Sequence, residues 1–233
     1  MSTKLDILLV RTGNQSELYG ALSTTRLTAL EPPIWAAILA GFLRQRGYSV
    51  QILDAELHGW SHAQTAEQIK DADPLLALIV VSGTNPSAST WNMTGAEILV
   101  SRLKGTAPSI RTAFFGLHPS ALPERTLRES TADFVCQGEG FFTLPPLLKK
   151  LQLDSAAGTD IAGLWYRDGD RILSTPRPPV LSTLDDLPMP AWDILPMTEY
   201  RAHNWHCFGD RYERKPYGVI YTSLGCPFHC SFC

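Results

Sequence analysis

Seven consecutive apolar residues, Leu75-Leu-Ala-Leu-Ile-Val-Val81, constrain the fold more than any other stretch of the chain. A strand with one wet face would alternate, so an unbroken run with β-branched residues reads as a strand covered on both faces. Covering both faces of a sheet calls for helices on both sides, and the rest of the chain supplies them. Leu5 to Val10, Tyr48 to Asp54, Arg111 to Phe115 and Asp133 to Cys136 are further short strand patterns. Between them lie helical patterns from Glu31-Pro32-Pro33 to about Gly47, from Ala63 to Asp71, from Trp91 to Lys104 and from Leu122 to Glu129. A last helix runs from Thr143 to Leu153. Pro32, Pro33, Pro145 and Pro146 fall in first turns, where proline is tolerated, and Gly47 and Gly105 stand where helices stop.

Strands alternating with helices at this pitch predict right-handed crossovers and an open parallel sheet. Five units in residues 1–153 give an α/β, flavodoxin-like (Rossmann-type) domain with a five-stranded parallel sheet. In such sheets ligands sit outside the carboxyl ends of the strands. Three small-residue loops share that rim: Ser82-Gly83-Thr84-Asn85-Pro86, Gly116-Leu117-His118-Pro119-Ser120 and Gln137-Gly138-Glu139-Gly140. Their Gly, Ser and Thr residues allow close backbone approach to a flat, polar-edged ligand. Thr12 through Thr28 is a polar segment long enough for a functional loop.

After Leu153 the character changes. Ile161 to Tyr166 and Arg171 to Leu173 flank Asp168-Gly169, a hairpin signal. Thr175 to Pro196 holds six prolines (Pro176, Pro178, Pro179, Pro188, Pro190, Pro196) and reads as an extended linker. Residues 154–216 thus form a hairpin and linker, and residues 217–233 begin a further unit. That unit opens on a strand pattern, Tyr217 to Leu224, followed by Cys226-Pro-Phe-His-Cys230-Ser-Phe-Cys233. Three thiolates at spacings of four and three suit one corner of a compact metal centre, and three cysteines leave a four-iron cluster one open position. Zinc is the other metal this loop could hold, with His206, Cys207 or His229 as fourth ligand, although structural zinc usually shows two paired ligand clusters. Three buried thiols are the bland alternative.

The bulk numbers narrow the classes. The chain has 44% hydrophobic and 18% charged residues and a net charge of -3, as ordinary globular proteins do. Its basic residues form no block for nucleic acid or a membrane surface. The apolar run from Ile34 to Leu43 stops at Arg44, short of a membrane span. Five cysteines, three of them clustered, are no disulfide framework, so a reduced, cytoplasmic setting is expected.

With these residues in hand, the chain resembles the radical S-adenosylmethionine enzymes that carry a cobalamin-binding domain. Cys226, Cys230 and Cys233, with Phe232 before the last, match that family's cluster motif, and a strand precedes it there too. The five-unit domain is similar to the family's cobalamin-binding domain. Leu181-Ser-Thr-Leu-Asp-Asp-Leu-Pro-Met-Pro-Ala-Trp-Asp193 looks like its bridge, and the Gly116–Pro119 and Gly138–Gly140 loops look like its recurring signatures. The resemblance implies a 4Fe-4S cluster on the three cysteines, S-adenosyl-L-methionine on the open iron, and reductive cleavage to a 5′-deoxyadenosyl radical. It implies cobalamin on the rim, at Ser82, Gly83, Thr84, Gly116, His118, Ser120, Gly138, Glu139 and Gly140, and a contact from Phe232. A small-molecule substrate, an electron donor such as flavodoxin or ferredoxin, and radical methyl transfer or related chemistry follow from the same likeness. The family's barrel runs well past its cluster motif, so this chain is expected to be an N-terminal piece, inactive alone. The reading from a different class is a non-catalytic cobalamin- or nucleotide-binding module with a zinc-stabilised tail.

Some residues depart from the pattern or stay open. Arg11 to Tyr19 lacks the D-x-H-x-x-G motif that puts histidine on cobalt in methionine-synthase-like proteins. His58, after the second strand, reads as a solvated residue. His118 sits on the rim, either facing the ligand or satisfied within its loop. Glu139 either bonds a ligand hydroxyl or serves the next helix. Cys136 reads as an inert core thiol. His203-Asn-Trp-His-Cys207 either packs the linker or contacts substrate or cobalamin.

Overall fold

The computed structural model of the protein describes residues 4–13, 29–83, 86–154, 160–202, 214–225 and 228. In chain order its elements are β1 (Ile7–Arg11), α1 (Ile34–Gln45), β2 (Val50–Asp54), α2 (Ala55–His58), α3 (His62–Ala72) and β3 (Leu76–Val81). They continue with α4 (Pro86–Thr106), β4 (Arg111–Gly116), α5 (Leu117–Ala121), α6 (Pro123–Glu129), β5 (Phe134–Cys136) and α7 (Leu144–Gln152). The hairpin strands β6 (Leu164–Asp168) and β7 (Arg171–Ser174) complete the regular structure, with two short 3-10 turns after them.

The sheet order is β2-β1-β3-β4-β5-β6-β7. The first five strands are parallel and in the flavodoxin-like order. All six residues of β3 are buried, as its unbroken apolar run requires. Leu76, Leu78 and Val80 face a core shared with α1 and α7, while Ala77, Ile79 and Val81 face one shared with α3, α4 and α6. Each large side chain so covered contributes roughly 2 kcal/mol. The doubly wound architecture follows from that two-sided burial.

Four local expectations are corrected. The sheet has seven strands rather than five, because the hairpin does not stand apart. Its strand β6 pairs antiparallel with β5, Cys136 opposite Leu164, and Thr175 Oγ accepts from Leu164 N at 2.9 Å and donates to Ile161 O at 2.6 Å. The Gly116–Ser120 stretch is helical from Leu117 onward. Pro119 falls in its first turn, where an N–H has no intrahelical partner to lose, so the proline that suggested a loop is harmless there. Helix α4 likewise begins at Pro86, not Trp91, through Ser- and Thr-rich residues that read as loop.

The fourth correction concerns the chain after the hairpin. Tyr217 to Leu224 contains no strand. A strand needs a neighbour's ladder of hydrogen bonds, and this stretch instead lies over the sheet, with Val219 and Leu224 against the α1-side core. The proline-rich segment is extended but not a loose tether. From Thr175 to Ala202 it forms a strap over α1: Ala191 N donates to Ala37 O at 2.9 Å, and Arg44 holds Asp193 at 2.8 and 2.9 Å. Gly41 makes this approach possible, since a Cβ there would lie 2.5 Å from Met189 O. The prolines removed ladder donors, but Leu181, Leu187, Trp192 and Ile194 between them still pack against the core.

Candidate functional site

The three rim loops converge, and they are tied to one another before any ligand is considered. Ser89, fully buried on α4, donates its hydroxyl to Val81 O at the end of β3 and accepts from His118 N at 2.9 Å. Ser120 Oγ accepts from Gly138 N at 3.0 Å, and Gln137 Nε2 donates to Ser120 O at 3.1 Å. Asn92 Nδ2 donates to Ser82 O at 3.1 Å. Side chains of the helices thus satisfy the orphan backbone groups at the strand ends, which makes the rim a rigid surface.

The glycines of the rim serve that packing. Gly116 has φ +140°, and a Cβ on it would sit 2.0 Å from Val81 O, where no side chain fits. Around Gly83 and Gly138 an added Cβ would meet Ala88 and Pro178. Their bare Cα atoms therefore face protein, and the flat rim is a consequence of close packing between loops.

A cavity of about 340 Å³ opens on this surface, over the carboxyl ends of β3, β4 and β5. Ser82, Gly83, Gly116, Ser120, Gly138 and Glu139 line one side. Facing them are Trp35 of α1, Tyr221, Ser223, Leu224 and Gly225. Trp35 packs edge-on against Phe115 (centroids 5.5 Å apart) and holds Tyr221 at 5.8 Å. The walls are mostly aromatic and aliphatic with a few hydroxyls and one carboxyl, the make-up of a small-molecule or cofactor site. Burial pushes the Glu139 carboxyl above the usual range, which favours a form able to donate as well as accept.

His118 is not among the lining residues. Its Nδ1 lies 3.1 Å from Thr90 Oγ, and burial together with Arg125 holds its imidazole below the usual value. It stays neutral and locally bonded at neutral pH. His58 is exposed and stacked on Trp60, with ring centroids 4.4 Å apart. No imidazole therefore reaches the cavity among the described residues. Cys136 is fully buried, its thiol pushed up to about 12 by burial, which keeps it unreactive.

Among the described residues the crevice between β1 and β3, where the strand order reverses, holds only a small cavity of about 30 Å³. Arg11 at the end of β1 pairs there with Glu56 at 2.6 Å and lies 3.5 Å from Asp54. Its guanidinium also donates to Glu31 O. The ligand-sized space is consequently displaced toward β3–β5. Trp35, Tyr221 and the Arg11 group were not singled out from the sequence. A tryptophan two positions after Pro32-Pro33 and a charge closing an apolar strand were the available signals.

Thr84, Phe232, Cys226, Cys230 and Cys233 lie outside the described residues, as do His203 to Cys207 and His229. Among the described residues no three His, Cys, Asp or Glu side chains are placed to hold a metal ion. No described helix is long and apolar enough to cross a membrane.

Comparison with known proteins adds to this geometry. Residues 23–148 match the family described as B12 binding domain. An uncharacterized methyltransferase of Pyrococcus horikoshii is 30% identical over 230 residues, covering 98% of this chain and 45% of that protein. The anaerobic magnesium-protoporphyrin IX monomethyl ester cyclase of Cereibacter sphaeroides is 30% identical over 210 residues, covering 87% of this chain and 31% of that one. The chain thus spans less than half the length of either relative. The fold is shared with the radical S-adenosylmethionine methyltransferase TsrM from Kitasatospora setae, solved with cobalamin and a [4Fe-4S] cluster. The TM-score is 0.60 at 14% identity, over 80% of this chain and 31% of that one. The match over more than half of its residues, on a doubly wound sheet with a built rim, places this chain in the B12-binding domain family, with the fold seen in cobalamin-dependent radical S-adenosylmethionine enzymes.

Proposed function

We propose that this chain is the cobalamin-binding part of a radical S-adenosylmethionine enzyme that performs methyl transfer or related radical chemistry on a small molecule. One observation carries the reading: the rim cavity is walled jointly by the B12-domain loops and by Tyr221 to Gly225, the residues that run directly into Cys226. A ligand held there lies between the domain that binds cobalamin and the start of the cysteine motif.

In this reading Ser82, Gly83, Gly116, Ser120, Gly138 and Glu139 hold the polar periphery of the corrin, and Trp35, Phe115, Leu117 and Tyr221 cover its apolar parts. Thr84 and Gly140 belong to the same loops. Because no described imidazole lines the cavity, His118 positions α5 through Ser89 and Thr90 and is not the cobalt's ligand. Cys226, Cys230 and Cys233 would hold a 4Fe-4S cluster with a position left for S-adenosyl-L-methionine, and Phe232 belongs to the same motif. The bound cofactors supply radical generation and methyl transfer, while the chain's residues bind, orient and exclude water. An external electron donor such as flavodoxin or ferredoxin, and a cytoplasmic setting, complete the proposal.

The test is twofold. Hydroxocobalamin added to the 233-residue chain is expected to shift its visible spectrum and to co-elute on gel filtration. Anaerobic reconstitution with iron and sulfide is expected to give a brown protein whose cluster spectrum is lost in Cys230→Ala. Failure of cobalamin to co-elute overturns the first half. A colourless protein carrying one zinc overturns the second and favours the zinc-stabilised tail.

A further inference from the structure

Among the described residues Tyr200 is the largest fully buried side chain outside the sheet and its helices, and it sits on the strap, far in sequence from Asp54 and Ala37, which it touches. Its hydroxyl donates to Asp54 Oδ2 at 3.0 Å. Asp54, itself buried, accepts from Leu57 N at 3.1 Å through its other oxygen and lies beside Arg11, which pairs with Glu56 and donates to Glu31 O. Burial and the neighbouring Asp54 carboxylate push the phenol far above its ordinary value, so Tyr200 acts purely as a neutral donor. Its ring packs with Ala37 and Leu195.

The next residues build outward from this anchor. Arg201 N donates to Leu30 O and Leu30 N donates to Arg201 O, both at 2.9 Å. Arg201 also bridges to Pro216, with Ala202 N donating to Lys215 O at 3.3 Å. Residues 30, 201 and 216 thus form three adjacent strips, and the third leads straight into Val219, Tyr221 and Leu224. Val219 and Leu224 lie on the α1-side core, and Tyr221 and Leu224 line the cavity.

We infer that Tyr200 is a positioning residue: its bond to Asp54 sets the register of the Leu30–Arg201–Pro216 strips and thereby holds residues 217–225 as the second wall of the rim cavity. The contribution to cobalamin affinity rests on the function proposed above, whereas the positioning of the wall does not. A ligand that needs both walls is bound more weakly in proportion to the fraction of molecules whose second wall is out of place.

Tyr200→Phe keeps the ring and removes the hydroxyl. Losing a hydrogen bond to a charged, buried group shifts such a local equilibrium by about tenfold. Hydrogen exchange followed by mass spectrometry, without cobalamin, is expected to show residues 217–225 exchanging about tenfold faster in the variant while β3 and β4 are unchanged. Hydroxocobalamin affinity is expected to fall by a similar factor. If Tyr200→Phe does not fold, Asp54→Asn asks the same question from the acceptor side, because it replaces the charged acceptor of the Tyr200 hydroxyl with a neutral one. Unchanged exchange in 217–225, or an equal rise in the core strands, overturns the inference. Faster exchange in 217–225 with unchanged cobalamin affinity supports the positioning role of Tyr200 and overturns the claim that this wall contributes to cobalamin binding. Should the unmodified chain bind no cobalamin, the proposed function fails, and the exchange comparison still decides the role of Tyr200.

Discussion

The rim of the parallel sheet and the strap that crosses α1 hold their shapes in opposite ways. The rim is dense with backbone satisfaction: Ser89, Ser120, Gln137 and Asn92 each close a bond between neighbouring loops. The strap's backbone bonds are largely turns within itself, and it is attached elsewhere at separate points along its length, among them Ala37, Gly41, Arg44, Asp54 and Leu30. A rim built this way changes little when one contact is lost at its surface but fails when its packing is breached. A strap built this way comes off locally, one attachment at a time, and takes with it the wall it positions.

The largest effect should come from breaching the rim. Gly116→Ala puts a methyl into Val81 O at a φ that disfavours side chains, and we expect a loss of about 3 kcal/mol in urea unfolding. Wild-type stability in that variant would break the contrast between the two regions. Gly41→Ala is next. Alanine is favoured over glycine inside a helix by about 1 kcal/mol, so a gain in stability is expected if the strap is a passenger. The close approach to Met189 O predicts instead a net loss of about 1–2 kcal/mol by overpacking, read from the same unfolding curves.

How much of this was legible in the sequence follows the same division. The strands and most helices were readable because each is encoded by its own residues: β3 by seven apolar neighbours, α7 by its prolines and periodic leucines. The strap was not, because what docks it lies elsewhere: a missing side chain at Gly41, a carbonyl at Ala37, a carboxylate at Asp54. A proline-rich run states only that a segment makes no ladder, and cannot say what it lies on. The site was legible in part for the same reason. Ser82, Gly83, Gly116 and Gly138 sit at strand ends, where topology places ligands, whereas Trp35 and Tyr221 meet only because the tail folds back across α1. His118 lies beside a proline that suggests an irregular loop, whereas the stretch is helical and its ring meets Thr90.

Two smaller predictions sharpen the comparison. Burial raises the Glu139 carboxyl, so its neutral form is favoured on folding. That contribution is fully present below the ordinary carboxylate value of about 4.3 and is lost as pH rises through the raised one. Glu139→Gln should therefore be more stable than the parent at pH 7, with the difference vanishing on acidification, as followed by urea midpoints across pH. Arg44→Gln removes the bidentate pair with Asp193, in which both side chains are substantially exposed. The expected cost is ~0.5 kcal/mol and shrinks with added salt.

The proposed function requires one ligand site shared by both regions. Hydrogen exchange of the 233-residue chain with and without hydroxocobalamin measures this. Simultaneous protection is expected at residues 82–83, 116–120 and 138–139 on the rim and at 221–225 opposite them. Protection confined to the crevice around Arg11, or none at all, would contradict it.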